Sequence, residues 1–95
     1  MLTTAEIIAR IKKMHGDCSD YRVSKLLGIT SQAVYQWTSG ARAMGDETAI
    51  KAALLLKLDP DYVVACIAAE RAKGSNAFTT WRHIAERLQP ATRAA

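Results

Sequence analysis

Apolar residues recur at spacings of three and four along most of the chain, and no run alternates apolar with polar residues as a strand does. The spacing predicts a first helix that begins at Thr3 or Thr4 and ends at Gly16. Thr3 and Glu6 have the spacing of a capping box. The apolar residues that share one face of this helix are Ile7, Ile8, Ile11 and Met14.

Two shorter helices follow, over about 20–27 and 31–39, with Gly28 between them. Two helices of about eight residues joined by a short glycine-containing turn are typical of a helix-turn-helix. Ser24 stands where the two helices would cross, so this residue must be small. The expected core contacts are Val23, Leu27, Ile29, Val34 and Trp37, and their spacing leaves Ser31, Gln32, Tyr35 and Gln36 exposed.

Three further helices are predicted after residue 45. Asp46 is a suitable N-cap for the fourth, over about 47–57, and Pro60 suits the first turn of the fifth. Asn76 would cap the sixth, which runs from Ala77 to about Leu88, and the remaining residues are expected to fray. The fourth helix has an apolar stripe of Ile50, Ala53, Leu54 and Leu58.

The pattern therefore predicts an all-α fold of 95 residues, divided into a helix-turn-helix domain over 1–74 and a C-terminal helix and tail over 75–95. Two interpretations of the last helix remain open. Its apolar stripe either pairs two subunits or covers the first and fifth helices of its own subunit. The candidate dimerisation residues are Phe78, Trp81, Ile84 and Leu88.

The distribution of charge is more informative than the net charge of +4. No carboxylate occurs between Tyr21 and Gly45, whereas Arg22, Lys25 and Arg42 are basic. A surface that faces DNA phosphates requires such a segment. The helix-turn-helix pattern and this charge distribution fall on the same residues.

Other classes of function find little support in the sequence. No apolar run approaches the length of a membrane span, and the N-terminal residues do not resemble a secretion signal, so we expect no membrane partner and a cytoplasmic protein. Cys18 and Cys66 lack metal-binding spacing, and neither His15 nor His83 has ligands nearby in sequence. We expect no metal, no cofactor, no small-molecule ligand and no enzymatic activity.

The segment from about Ile7 to Ile67 resembles the lambda repressor and Cro family of phage regulators, which have a helix-turn-helix in the second and third of five helices. The helix that begins at Asp59-Pro60-Asp61 looks similar to that of small prophage regulators. The family usually has alanine where this chain has Ser24, whose hydroxyl would need a carbonyl one turn back. The resemblance is carried by Ser24, Gly28, Val34, Trp37 and Ser39-Gly40.

This resemblance implies a compact five-helix lambda-repressor-like domain with an additional C-terminal helix. It also implies a transcriptional regulator, Cro-like or a small phage or prophage repressor, that binds a palindromic operator in double-stranded DNA as a homodimer. The residues that would read bases are Thr30, Ser31, Gln32, Tyr35 and Gln36. Those that would bind phosphates are Arg22, Lys25, Ser39 and Arg42.

Two points stay open. Tyr35 is either a packed aromatic residue or a DNA contact. The alternative function is a protein-interaction module on the same fold, such as an antitoxin-type regulator, for which apolar exposure on the third helix would be the sign.

Overall fold

A computed structural model describes residues 1–94, with side chains described to Gln89. These residues form six α-helices and no strand, so the predicted all-α class is confirmed. The helices are α1 (Thr4–Met14), α2 (Asp20–Leu27), α3 (Ser31–Thr38), α4 (Asp46–Leu55), α5 (Pro60–Arg71) and α6 (Ala77–Ala94).

Local capping explains where the first three helices begin. The hydroxyls of Thr3, Ser19 and Thr30 accept hydrogen bonds from backbone N–H groups in the first turns of α1, α2 and α3. Each bond satisfies a donor that has no partner within the helix, which stabilises a helix by roughly 1 kcal/mol. The sequence placed these three starts within a residue.

The fifth helix lies at the centre of the fold. It packs against α4 on one side and α6 on the other, and seven of its residues are buried. Its first turn contains Pro60, as predicted, and the Asp59 carboxylate caps it by accepting from the Asp61 N–H at 3.0 Å. Because α5 is buried on several sides, its sequence lacks the single apolar stripe of a surface helix.

The predicted apolar stripe of α4 is wrong at Ile50 and Leu54, whereas Ala53 is buried and Leu58 packs partly buried against the core. Ile50 is 41% exposed and Leu54 is 63% exposed, whereas Ala49, Ala52 and Ala53 are fully buried. The core-facing side of α4 is thus formed by small side chains, and α4 packs against α5. Of the larger side chains, Leu55 packs against the core, whereas Ile50 and Leu54 point outward.

Two other details of the predicted helices are also corrected. Met14, placed on the apolar face of α1, is 50% exposed because it lies in the last turn, past the buried Ile11. The N-cap of α4 is Gly45 rather than Asp46, which is the first helical residue and binds Arg71 instead.

A buried polar network ties the ends of α1, α4 and α5 together. The Thr4 N–H and hydroxyl both donate to the Glu70 carboxylate, at 2.7 and 2.8 Å, and the same hydroxyl accepts from the Met44 N–H at 3.1 Å. Arg71 donates to the Met44 carbonyl at 3.0 Å and to Asp46 at 2.5 Å. Thr4 is fully buried, so these bonds offset the cost of removing its polar atoms from water.

The sixth helix packs along α5. It extends to Ala94 and so continues through the residues predicted to fray. At its start, the Ala77 N–H donates to the hydroxyl of Ser75, at 3.3 Å, and not to the predicted cap Asn76. In the part of the chain that is described, no helix combines the length and apolar character needed to cross a bilayer.

Candidate nucleic-acid interface

The turn between α2 and α3 depends on Gly28, which has φ +68° and ends α2 in the left-handed conformation. Residues with a β-carbon are strained there. Ser24 is 3% exposed, and its hydroxyl donates to the Tyr21 carbonyl at 2.5 Å. The expected bond to a carbonyl one turn back is therefore present. Ser24 also accepts a longer bond, 3.4 Å, from the hydroxyl of Ser31 at the start of α3.

The apolar side of this helix pair is anchored in the core. Val23, Leu27 and Val34 are at most 1% exposed, and Trp37 is 7% exposed. Ile29 is half-buried and packs against the same cluster. Since α3 packs against α1 and α2, its opposite side is left to solvent.

Four of the five predicted base-reading residues are exposed, namely Thr30, Ser31, Gln32 and Tyr35, and Gln36 is half-buried. Thr30 is engaged as the N-cap, accepting from the Ala33 N–H at 3.1 Å. Tyr35 is 64% exposed, which disfavours the interpretation of this residue as a packed aromatic. The phenol ring and the Gln32 amide are available to a partner that approaches α3.

Gln36 links the outer face of α3 to the loop that follows it. Its side-chain oxygen accepts a hydrogen bond from the Arg42 guanidinium at 3.3 Å. Its backbone carbonyl accepts from the Ser39 hydroxyl at 3.0 Å and from the Ala41 N–H at 3.0 Å. A predicted base-reading residue and a predicted phosphate-binding residue are thus in direct contact.

The other predicted phosphate-binding residues, Arg22 and Lys25, are exposed on α2. The Lys25 ammonium lies over the ring of Tyr21, 5.1 Å from its centroid. The nearest carboxylate along the chain, Asp20, is paired with Lys12 at 2.5 Å. This pairing reduces the repulsion that Asp20 would exert on a polyanion.

Lys51 is a further cation at this site that the sequence did not indicate. Its ammonium lies beside Gly28, 3.9 Å from the position a β-carbon would occupy there. Lys51 belongs to α4, which packs against α2. Only the tertiary fold brings it to the turn, and its position in the sequence, outside the acid-free segment, gave no signal.

A second exposed surface lies at α4, α5 and α6. Here Ile50 and Leu54 stand one turn apart on α4, and Trp81 is 37% exposed on α6. A groove of about 350 Å³ runs between these helices. We call this surface the α4–α6 apolar face and define it by Ile50, Leu54, Pro60, Val64, Trp81, Ile84 and Leu88.

The four candidate dimerisation residues do not all lie on this face. Trp81, Ile84 and Leu88 line the groove. Ile84 and Leu88 are half-buried and also pack against the core of their own subunit, which agrees in part with the interpretation that α6 completes the monomer. Phe78 lines a different cleft, beside Leu2 and Ala43.

Neither surface has the ligands of a metal centre. Among the described residues, no three His, Cys, Asp or Glu side chains are grouped so that they could hold a metal ion. Comparisons with models of protein families, with curated proteins and with solved structures find no match to this chain.

Proposed function

We propose that this protein is a sequence-specific DNA-binding transcriptional regulator with a lambda-repressor-like fold, similar to Cro or to a small phage or prophage repressor. The observation that carries the proposal is the α2–α3 helix pair. Its turn is closed by Gly28 and Ser24, its inner side is buried, and its outer side is polar, free of carboxylates and flanked by cations. An α-helix of this kind fits the major groove of B-DNA.

Different side chains would contact the bases and the phosphates. Gln32 can pair with adenine through two hydrogen bonds, and Ser31 can serve several bases. Arg22, Lys25, Arg42 and Lys51 would bind phosphates, which position the protein without reading sequence. Because α3 itself has no charged residue, most of the affinity has to come from these flanking cations.

The Gln36–Arg42 contact supports this arrangement. A guanidinium held beside a base-reading amide can reach a phosphate at the edge of the groove while it fixes the amide's orientation. The amide is then presented in one geometry, which lowers the entropy lost on binding.

A single helix offers few base contacts, so we propose that two subunits bind a palindromic site. The α4–α6 apolar face is the candidate subunit interface. The α6 part of this face lies away from α3, because α3 packs against α1 and α2 whereas α6 packs against α5. Repression would result from exclusion of polymerase from the bound site.

The test is direct DNA binding. A fluorescently labelled duplex of random sequence is titrated with the protein from 50 to 200 mM salt, with anisotropy as the readout. We expect affinity to fall steeply with salt, because each phosphate contact releases counterions. Selection of binding sites from random DNA then gives the operator, and we expect a palindrome with half-sites about one helical turn apart. Absence of binding at 50 mM salt would refute the proposal.

The second candidate is a protein-interaction module on the same fold, such as an antitoxin-type regulator. Exposed Tyr35 favours it, because an aromatic ring on the outer side of α3 suits a protein partner as well as DNA. The same titration discriminates between the two, since this module requires no salt-dependent binding to duplex DNA.

A further inference from the structure

We infer that the cleft beside the α3–α4 loop is a binding site for a small organic anion with an apolar, aromatic body, and that its occupation competes with DNA for Arg42. The cleft has a volume of about 710 Å³, which is within the range of ligand pockets, about 300–1,000 Å³. Four parts of the chain meet there: the N-terminal segment, the loop over 40–43, the C-terminal part of α5 with its following turn, and Phe78 of α6. The inference runs against the expectation from sequence that no small molecule binds.

Hydrogen bonds hold three of the segments around the cleft together. The network of Thr4, Glu70, Met44 and Arg71 joins the residue after the N-terminal segment, the residue after the 40–43 loop and the end of α5 through bonds of 2.7 to 3.1 Å. A site held in this way loses little conformational freedom when a ligand binds. The network therefore explains why the cleft can be a site rather than a transient gap.

The chemistry of the lining indicates the class of ligand. Leu2, Ala43 and the half-buried ring of Phe78 provide apolar and aromatic surface. Arg42 and Lys73 provide positive charge, and the side chain of Lys73 makes no ion pair or hydrogen bond with any residue in the described part of the chain.

Two other charged side chains line the cleft, Glu70 and Arg71. The Glu70 carboxylate accepts both donors of Thr4 and keeps its negative charge, whereas Arg71 is paired with Asp46. Lys73 and Arg42 outnumber this one carboxylate, so the net charge that the lining offers to a ligand is positive. An anionic group on a flat apolar body matches both parts of the lining.

Arg42 connects the cleft to the proposed DNA surface. In this structure its guanidinium binds the side chain of Gln36. An anion in the cleft that binds the guanidinium would remove this contact and one proposed phosphate contact together. This coupling rests on the proposed function, whereas binding to the cleft does not.

The test uses naphthalene-1-sulfonate as the probe and 1-naphthalenemethanol as its neutral counterpart. Each is titrated into the ¹⁵N-labelled full chain without DNA and followed by amide chemical shifts. We expect saturable shifts at Ala41 and Ala43 with the sulfonate, and binding of the alcohol about threefold weaker, because a partly exposed cation–anion contact adds only modestly to affinity.

Two variants and a control isolate the lining residues. Lys73→Gln should weaken sulfonate binding about threefold, and Phe78→Ala should weaken it about fivefold through loss of the aromatic contact. Lys57→Gln removes an exposed charge that does not line the cleft and should leave binding unchanged. Because Lys73 is exposed, its substitution does not endanger the fold, so a loss of binding there cannot be ascribed to unfolding.

The site is refuted if the shifts map to Trp81 and Leu54 instead, if they do not saturate, or if Lys73→Gln binds as tightly as the wild type. The coupling is tested separately by adding the random-sequence duplex. Competition should weaken DNA and sulfonate binding by the same factor, since linkage is reciprocal. If DNA does not bind, the proposed function fails while the cleft result stands, and if both bind independently, only the coupling fails.

Discussion

The two exposed surfaces of this molecule differ in almost every physical property. The outer side of α3 is polar and is flanked by four cations, Arg22, Lys25, Arg42 and Lys51. The α4–α6 apolar face has one charged residue in its groove, Asp61, and exposes Ile50, Leu54 and Trp81. A polar cationic surface suits a polyanion, and an apolar surface of this kind suits a protein partner. The comparison teaches that one small chain can present two chemically different surfaces, with α4 contributing Lys51 to one and Ile50 and Leu54 to the other.

The separation has an origin in packing. On α3, the large residues Val34 and Trp37 are buried, so polar residues remain outside. On α4 the small residues Ala49, Ala52 and Ala53 are buried, so Ile50 and Leu54 remain outside. The residues that each helix exposes are therefore set by which of its residues pack into the core.

The largest effect is expected from breaking the apolar face. Leu54→Asp puts a charge on a surface that would be buried between subunits, so self-association should be lost. Operator affinity should then fall about 100-fold or more, because the second half-site no longer benefits from effective concentration. Sedimentation equilibrium measures assembly, and anisotropy on the selected operator measures affinity.

Thr79→Asp is the matched control, since it adds the same charge to α6 at an exposed position outside the face. Because Leu54 is already exposed in the monomer, the fold should survive in both variants. A Leu54→Asp protein that still sediments as a dimer would exclude this face as the interface.

A smaller effect is expected from the polar surface. Gln32→Ala removes a proposed bidentate base contact, so discrimination at one base pair per half-site should fall by about 1–3 kcal/mol. Affinity for random-sequence DNA should stay the same. Binding-site selection repeated with the variant measures the change. A preference identical to that of the wild type would remove Gln32 from the reading residues.

These two predictions differ in how far the sequence alone could supply them. The sequence predicted Gln32 to be an exposed residue of α3, because the glycine turn, the caps and the spacing of Val34 and Trp37 are local features. The exposure of Leu54 was predicted wrongly, since leucine on a helical stripe normally faces the core. Only the packing of α4 against α5 shows that alanines occupy the core-facing side of α4. Local signals predicted the candidate site, whereas the second surface depended on how whole helices pack.

Lys51 tests the same distinction at the proposed DNA-binding surface, with a still smaller effect. Lys51→Gln should weaken binding to all sequences about threefold to fivefold and should lower the slope of log affinity against log salt by about 0.9, the contribution of one phosphate contact. Arg42→Gln should weaken binding and lower the salt slope in the same way. It should also change the preference at the base that Gln36 is proposed to contact, because Arg42 holds the Gln36 amide. The control is Lys57→Gln, which also removes one exposed lysine charge, at a position just beyond the end of α4. An unchanged salt slope would show that Lys51 does not contact phosphate.

The last prediction concerns stability rather than binding, and it concerns α5, the helix that supports α4 and α6. Burial raises the pKa of the Tyr62 phenol from 10.0 to about 12, and a side-chain hydrogen bond with Cys66 adds to the rise. Since the folded-state pKa lies above the unfolded value, the stabilisation is present below pH 10. It is lost as the pH rises from about 10 towards 12, because the unfolded chain releases the proton first.

Tyr62→Phe has no such proton, so its stability should decline less over this pH range than that of the wild type, although the two chains share the titration of their lysines. Guanidinium unfolding at pH 9 and pH 11.5 measures the difference for each. Tyr21→Phe, at a residue 62% exposed, serves as the control and should follow the wild type. If Tyr62→Phe and the wild type lose the same free energy of unfolding between these pH values, the buried phenol does not stabilise α5 in this way. The support that α4 and α6 receive from α5 would then come from apolar packing and from the Arg71 bonds to Met44 and Asp46.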